Sequence, residues 1–219
     1  MIGALENLRR EAYVKAVMRA SESDDVLGFI GSHLPVEIFH ALDLYAIPVY
    51  GIDSEILKFS CEKDLCPVID ATVTYAKTDK CPLIHSSRLI VIEPSCPVMT
   101  REILKLDKDT YVYESEAGLV KRLSQVYSRE LDSYKLQETQ EKLHRISQLI
   151  ALIKDHLDLT GLQGYILEYY LEFLSLDERI NALQELADPD SLCAGQIDLD
   201  IASKNFKFIY ENCQYFNLS

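Results

Sequence analysis

Three of the six cysteines stand directly before a proline. The pairs are Cys66-Pro67, Cys81-Pro82 and Cys96-Pro97, and they recur at equal intervals of 15 residues. Proline is favoured at the first position of a helix, so each cysteine is predicted to cap a helix start. A sulfur atom there faces unpaired backbone N–H groups and the positive end of the helix dipole, and both favour the thiolate. These pairs are therefore the first candidates for chemistry in the chain.

Two interpretations of the Cys-Pro pairs stay open at this point. Two or three thiolates held at helix starts could bind an iron–sulfur cluster, whose usual ligands are cysteines. The alternative is that these are small buried side chains that happen to precede helix-starting prolines. The spacing is not of the Cys-x-x-Cys kind, so it gives no specific zinc or ferredoxin signal.

The segments around these cysteines alternate between strand and helix patterns. Residues 88–93 form the clearest strand, because their nearly continuous apolar run is typical of a parallel strand buried on both faces. Further strands are predicted at 26–30, 46–50 and 110–113, and helices at 5–20, from Pro35 onward, at 66–78 and at 99–106. Such alternation predicts an α/β fold with a parallel sheet between helical layers, in a Rossmann-like or flavodoxin-like arrangement. Cys96 follows the clearest strand, where α/β proteins place their ligands.

The pattern becomes purely helical after Glu116. Residues 117–158 are rich in leucine, lysine, glutamate and glutamine at helical spacing, and further helices are predicted at 165–174, 176–186 and 197–215. We therefore predict a Rossmann-like α/β domain over residues 1–116, followed by a helical extension over residues 117–219.

Charge and composition narrow the classes of partner. The 35 acidic residues outnumber the 22 lysines and arginines, which gives a formal net charge of -13. Proteins that bind nucleic acids or anionic membranes through charge usually carry the opposite sign, so neither partner is expected. The sequence contains no apolar run long enough to span a membrane, and its charged start lacks the apolar core of a signal peptide. A cytoplasmic location is the expectation, and cysteines there are thiols or metal ligands rather than a disulfide framework.

Two stretches of the sequence resemble a known enzyme family. They are GFIGSHLPVEIFHALDLYAIPV at 28–49 and LCPVIDATVTYAKTDKCPLIHSSRLIVIEPSCPVMTREIL at 65–104. The first is similar to a helix with a Pro-x-Glu motif followed by an apolar strand, and the second to a segment in which a strand ends at a cysteine before a helix. Both resemble the first domain of the 2-hydroxyacyl-CoA dehydratase component family. That family includes the D-component of 2-hydroxyglutaryl-CoA dehydratase and subunits of benzoyl-CoA reductase.

The resemblance implies Rossmann-like domains around a [4Fe–4S] cluster and electron transfer to an acyl-CoA substrate. In the dehydratases, which are lyases, an ATP-dependent activator protein donates one electron, and a ketyl radical then loses the 2-hydroxyl group as water. The resemblance also implies a partner subunit in a homodimer or heterodimer. Cys66 and Cys96 match the cysteines that are expected to ligate the cluster. Cys81 matches a cysteine of the related double-cubane branch.

The resemblance also suggests where a substrate would bind. Pro35 and Glu37 match the motif that shapes the helix at the site. Ser32 and His33 lie in the turn after the first strand, where a ligand or a proton donor is expected. These four residues are the predicted substrate-binding group.

The sequence departs from the family pattern at several positions. The turn after the first strand lacks the usual cysteine, and Cys96-Pro97 stands where the family usually has Cys-Asp. Family members are also longer and carry a second Rossmann-like domain that supplies a further cluster cysteine. The alternatives are a cluster completed by a second chain or an exogenous ligand, and a non-catalytic truncated relative that acts as an assembly or binding module. A third is an unrelated α/β protein that uses Cys96 as a thiolate. Cys61, Cys193 and Cys213 receive no predicted role.

Overall fold

We obtained the structure as a computed structural model, which describes residues 5–52, 54–60, 64–157, 159 and 161–187. Its centre is a four-stranded sheet made of β1 (Val26–Ile30), β2 (Tyr45–Pro48), β3 (Leu89–Ile92) and β4 (Thr110–Val112). All strand pairs are parallel, and the order across the sheet is β2-β1-β3-β4. The predicted α/β class is confirmed. Of the two arrangements considered, the strand order is the flavodoxin-like one.

Nine helices accompany the strands within the described residues. They are α1 (Leu5–Glu22), α2 (Val36–Ala41), α3 (Pro67–Lys77), α4 (Pro82–Ser86), α5 (Pro97–Ile103), α6 (Glu116–Tyr127), α7 (Ser133–His156), α8 (Gly161–Leu171) and α9 (Leu176–Ala187), and a 3₁₀ helix covers Ser54–Phe59. None of the helices in these ranges is long and apolar enough to cross a membrane. The helix predicted at 197–215 lies outside the described residues, as do Cys61, Cys193 and Cys213.

Both faces of the sheet are covered by apolar side chains, as the unbroken apolar run of the third strand predicted. On one face, Val26, Ile47 and Ile90 belong to a cluster that includes buried residues of α1, α3, α4 and α5. On the other face, Leu27 and Val91 pack with buried residues of α2 and α6. Successive residues of each strand therefore pack against opposite helical layers, because side chains alternate between the two faces of a strand.

The helices after residue 116 share the first of these two cores. Ile146 and Ile153 of α7, and Ile166 and Leu167 of α8, belong to the same cluster as the sheet residues. A hydrogen bond of 2.9 Å between the hydroxyl groups of Tyr50 and Tyr165 joins the end of β2 to α8. Residues on both sides of position 116 therefore contribute to one hydrophobic core.

Candidate functional site

The carboxyl ends of β1 and β3 form the topological switch point of the sheet. These strands are neighbours, but the chain leaves β1 towards α2 on one face and leaves β3 towards α5 on the other. Open α/β sheets bind ligands in the crevice that such a divergence creates. In this protein the crevice lies between the loop of residues 31–35 and the loop of residues 93–96, and these two loops form the candidate site.

The side chain of Glu93 fills this crevice. Its backbone N–H first extends the strand pairing by donating to the carbonyl of Ile30 at 2.8 Å. Its Oε2 atom then accepts the backbone N–H groups of Ser32 at 2.9 Å and His33 at 3.0 Å. The Oε1 atom lies 3.3 Å from Nδ1 of His33. Glu93 is only 15% exposed, although the His33 ring beside it is 81% exposed.

Gly31 makes this close approach of the two loops feasible. Its φ is +137°, a conformation that side-chain-bearing residues rarely adopt. A Cβ atom at this position would lie 2.4 Å from the Cβ of Glu93 and 2.5 Å from its Oε2. The glycine therefore provides both the backbone turn and the space for the glutamate.

Cys66 and Cys96 begin two helices that pack against each other. Cys66 is the residue before α3 and Cys96 the residue before α5, as the Cys-Pro pairs predicted. The Sγ atom of Cys96 accepts the backbone N–H of Met99 at 3.4 Å. Both cysteines are half-buried thiols. Cys96 lies on the carboxyl side of the sheet, because α5 directly follows β3.

Cys81 lies elsewhere, although it also begins a helix. The 11 residues of α3 separate it from Cys66, which corresponds to about 16 Å of helix. Cys81 is 2% exposed at the start of α4, the helix that leads into the amino end of β3. Burial raises the pKa of its thiol, and the nearby amides of Leu83 and Ile84 and the charge of Arg9 do not offset that effect. Burial at Cys81 thus opposes the thiolate that its helix start alone would favour.

The described residues do not contain a complete set of cluster ligands. Within these ranges, no three histidine, cysteine, aspartate or glutamate side chains lie close enough together to hold a metal ion. A [4Fe–4S] cluster usually takes four cysteine ligands, and the packed helices α3 and α5 offer Cys66 and Cys96 at their starts. The donors present thus suit part of such a cluster.

The structure places the four predicted substrate-binding residues on one side of the crevice. Ser32 and His33 are exposed and donate their backbone N–H groups to Glu93. Pro35 is buried and immediately precedes α2, one position earlier than its predicted place inside the helix. Glu37 lies in the first turn of that helix. Glu93 is not among the predicted site residues. Its one signal in the sequence is that of a carboxylate at the end of the predicted strand, shortly before Cys96-Pro97.

Comparison with known proteins adds no family assignment. No protein-family model matches the sequence, and no curated protein matches it. The resemblance to the 2-hydroxyacyl-CoA dehydratase components stays a prediction that rests on the two stretches at 28–49 and 65–104.

Proposed function

We propose that this chain is an iron–sulfur component similar to those of 2-hydroxyacyl-CoA dehydratases. Cys66 and Cys96 would supply two thiolate ligands of a [4Fe–4S] cluster, and another chain or an exogenous ligand would supply the rest. The observation that supports this proposal is that both half-buried cysteines begin helices that pack against each other. When bound, such a cluster supplies one-electron transfer, here towards an acyl-CoA substrate.

The remaining predicted residues have roles that follow from their positions. Ser32 and His33 are exposed at the switch point and would contact the acyl-CoA. Pro35 and Glu37 would fix the start of α2 beside them. A partner subunit and an ATP-dependent activator protein are part of the same proposal, because Cys66 and Cys96 together make up half of the usual ligand number.

The test is anaerobic reconstitution with iron and sulfide, followed by iron analysis and electron paramagnetic resonance. We expect the wild-type chain to retain iron, and Cys66→Ser and Cys96→Ser each to lose it. Cys81→Ala is the matched control, because that thiol is buried away from the carboxyl edge and its loss should leave the iron content unchanged. Circular dichroism establishes that each variant is folded. A folded wild-type chain that takes up no iron, or serine variants that keep it, would refute the proposal.

A second candidate function is a non-catalytic assembly or binding module. It is favoured by Glu93, whose carboxylate fills the crevice where an α/β protein would place its ligand. On this alternative, the Cys66→Ser/Cys96→Ser double variant should retain full biological activity in cells that lack the wild-type protein. Substitution of the same two cysteines therefore distinguishes between the two candidate functions.

A further inference from the structure

The contact of Glu93 with the loop of residues 31–35 has the form of an anion bound by a protein. Two successive backbone N–H groups, from Ser32 and His33, converge on one carboxylate oxygen. The imidazole of His33 lies against the other oxygen. Consecutive amides and an imidazole are a donor set that suits carboxylate and phosphate groups. The bound anion here is a side chain of the protein itself.

We propose that Glu93 is an autoinhibitory group that keeps the switch-point crevice closed. An incoming ligand would open the crevice when its own acid group, a carboxylate or a phosphate, replaces Glu93 on the N–H groups of Ser32 and His33. Residues 31–33 would then move away from β3, while Leu34 and Pro35 stay buried.

The partners of Glu93 make this exchange feasible. Within the described residues its only ionisable partner is His33, and no lysine or arginine pairs with it. Ser32 and His33 are both exposed, so an external anion can reach their amides without unfolding the core. Replacement of one charge-assisted hydrogen bond by an equivalent one changes the free energy little.

Gly31 gives the loop a point about which it can move. It stands between the end of β1 and the two donor amides, and its φ of +137° belongs to a region that glycine leaves at little cost. The closed loop is therefore held by the Glu93 contact more than by the stiffness of its own backbone.

The test uses the metal-free full chain and the variant Glu93→Ala. Hydrogen exchange followed by NMR should show the amides of Ser32 and His33 exchanging roughly tenfold faster in the variant, because their acceptor is lost. Addition of acetate should restore their protection in the variant, and a higher acetate concentration should be needed to displace Glu93 and shift the same amide signals in the wild-type chain. A parallel titration with inorganic phosphate distinguishes a carboxylate-selective loop from one that accepts either acid group.

Two further variants control this experiment. Glu93→Gln keeps the crevice filled and retains an acceptor oxygen, so its exchange rates should lie between those of the wild type and the alanine variant. Glu102→Ala removes another largely buried carboxylate, one that pairs with Arg101 and Lys105, and should leave Ser32 and His33 protected. Unchanged protection in a folded Glu93→Ala chain would overturn the proposal, as would failure of both anions to restore it. Because iron is absent throughout, neither outcome bears on the cysteine test.

Discussion

Two carboxylates lie at opposite ends of the sheet, and their contacts differ in kind. Asp25 precedes β1 at the amino end and is 2% exposed. Its carboxylate accepts hydrogen bonds from Nε of Arg19 at 2.9 Å and from Nη2 of Arg129 at 3.3 Å. Glu93 follows β3 at the carboxyl end, and its partners are two backbone amides and an exposed imidazole.

The difference separates an anchor from an adjustable contact. Burial raises the pKa of Asp25, but the hydrogen bond and charge of Arg19 and the charge of Arg129 outweigh that effect and hold it below its ordinary value. Its stabilising effect is therefore present above the unfolded-state pKa and is lost as the pH falls through the folded-state value. Glu93 has no such permanent cations among the described residues. We infer that the amino end is built for stability and that the carboxyl end is built for exchange.

Removal of the anchor should have the largest effect. Asp25→Ala leaves two guanidinium groups without their buried carboxylate, and we expect a loss of about 4 kcal/mol in the free energy of unfolding. Urea unfolding followed by circular dichroism measures it. The neighbouring Asp24 is an appropriate control, because it forms an exposed pair with Arg88 at 2.9 Å. Asp24→Asn should cost less than about 1 kcal/mol. Equal losses in the two variants would show that Asp25 is not an anchor.

The second prediction concerns the glycine at the other end. Gly31→Ala should lower the free energy of unfolding by about 3 kcal/mol, because it combines a strained φ with a clash against Glu93. In a Glu93→Ala background the clash is relieved and only the backbone strain remains, so the loss should be smaller. A double-mutant cycle by urea unfolding measures the difference. Strictly additive losses would show that Gly31 and Glu93 are not coupled.

The third prediction concerns how the stability of the fold depends on pH. Burial, with a contribution from the charge of Arg179, lowers the pKa of His40 at the end of α2 to about 3. The unfolded chain therefore takes up this proton near pH 6.5 and the folded chain does not, so stability is full above pH 6.5 and falls below it. At pH 5 the loss should reach about 2 kcal/mol.

The variant His40→Gln isolates this effect. Burial raises the pKa of Glu172 to about 7, so that carboxyl acts in the opposite direction between its unfolded-state pKa and pH 7. The wild type and the variant share Glu172, and the difference between their unfolding free energies at each pH reports on His40 alone. That difference should grow from pH 6.5 to pH 5. A constant difference would contradict the prediction.

Local signals account for the features that the sequence predicted well. Val26–Ile30 and the apolar run around Ile90 form β1 and β3. A short apolar run bounded by polar residues is typical of a buried strand. The three Cys-Pro pairs do begin helices, because proline acts on its immediate neighbours.

The missed features depend on contacts between distant segments. Glu93 acquires its role from amides about 60 positions earlier in the chain, and no local pattern marks it. Cys81 shares its spacing with Cys66 and Cys96, but the intervening α3 carries it towards the other end of the sheet. Its burial then reverses the pKa shift that its helix start alone would predict.

The tyrosine contact between the sheet and the last described helices has a consequence for how the chain folds. Tyr50 hydrogen-bonds to Tyr165, and its ring lies 5.3 Å from that of Tyr169, so α8 covers the end of β2. A fragment that ended at residue 116 would expose these apolar surfaces to water. The sheet and α8 should therefore melt as one cooperative unit, and the strand-rich half is not a module that could be cut out and moved to another protein.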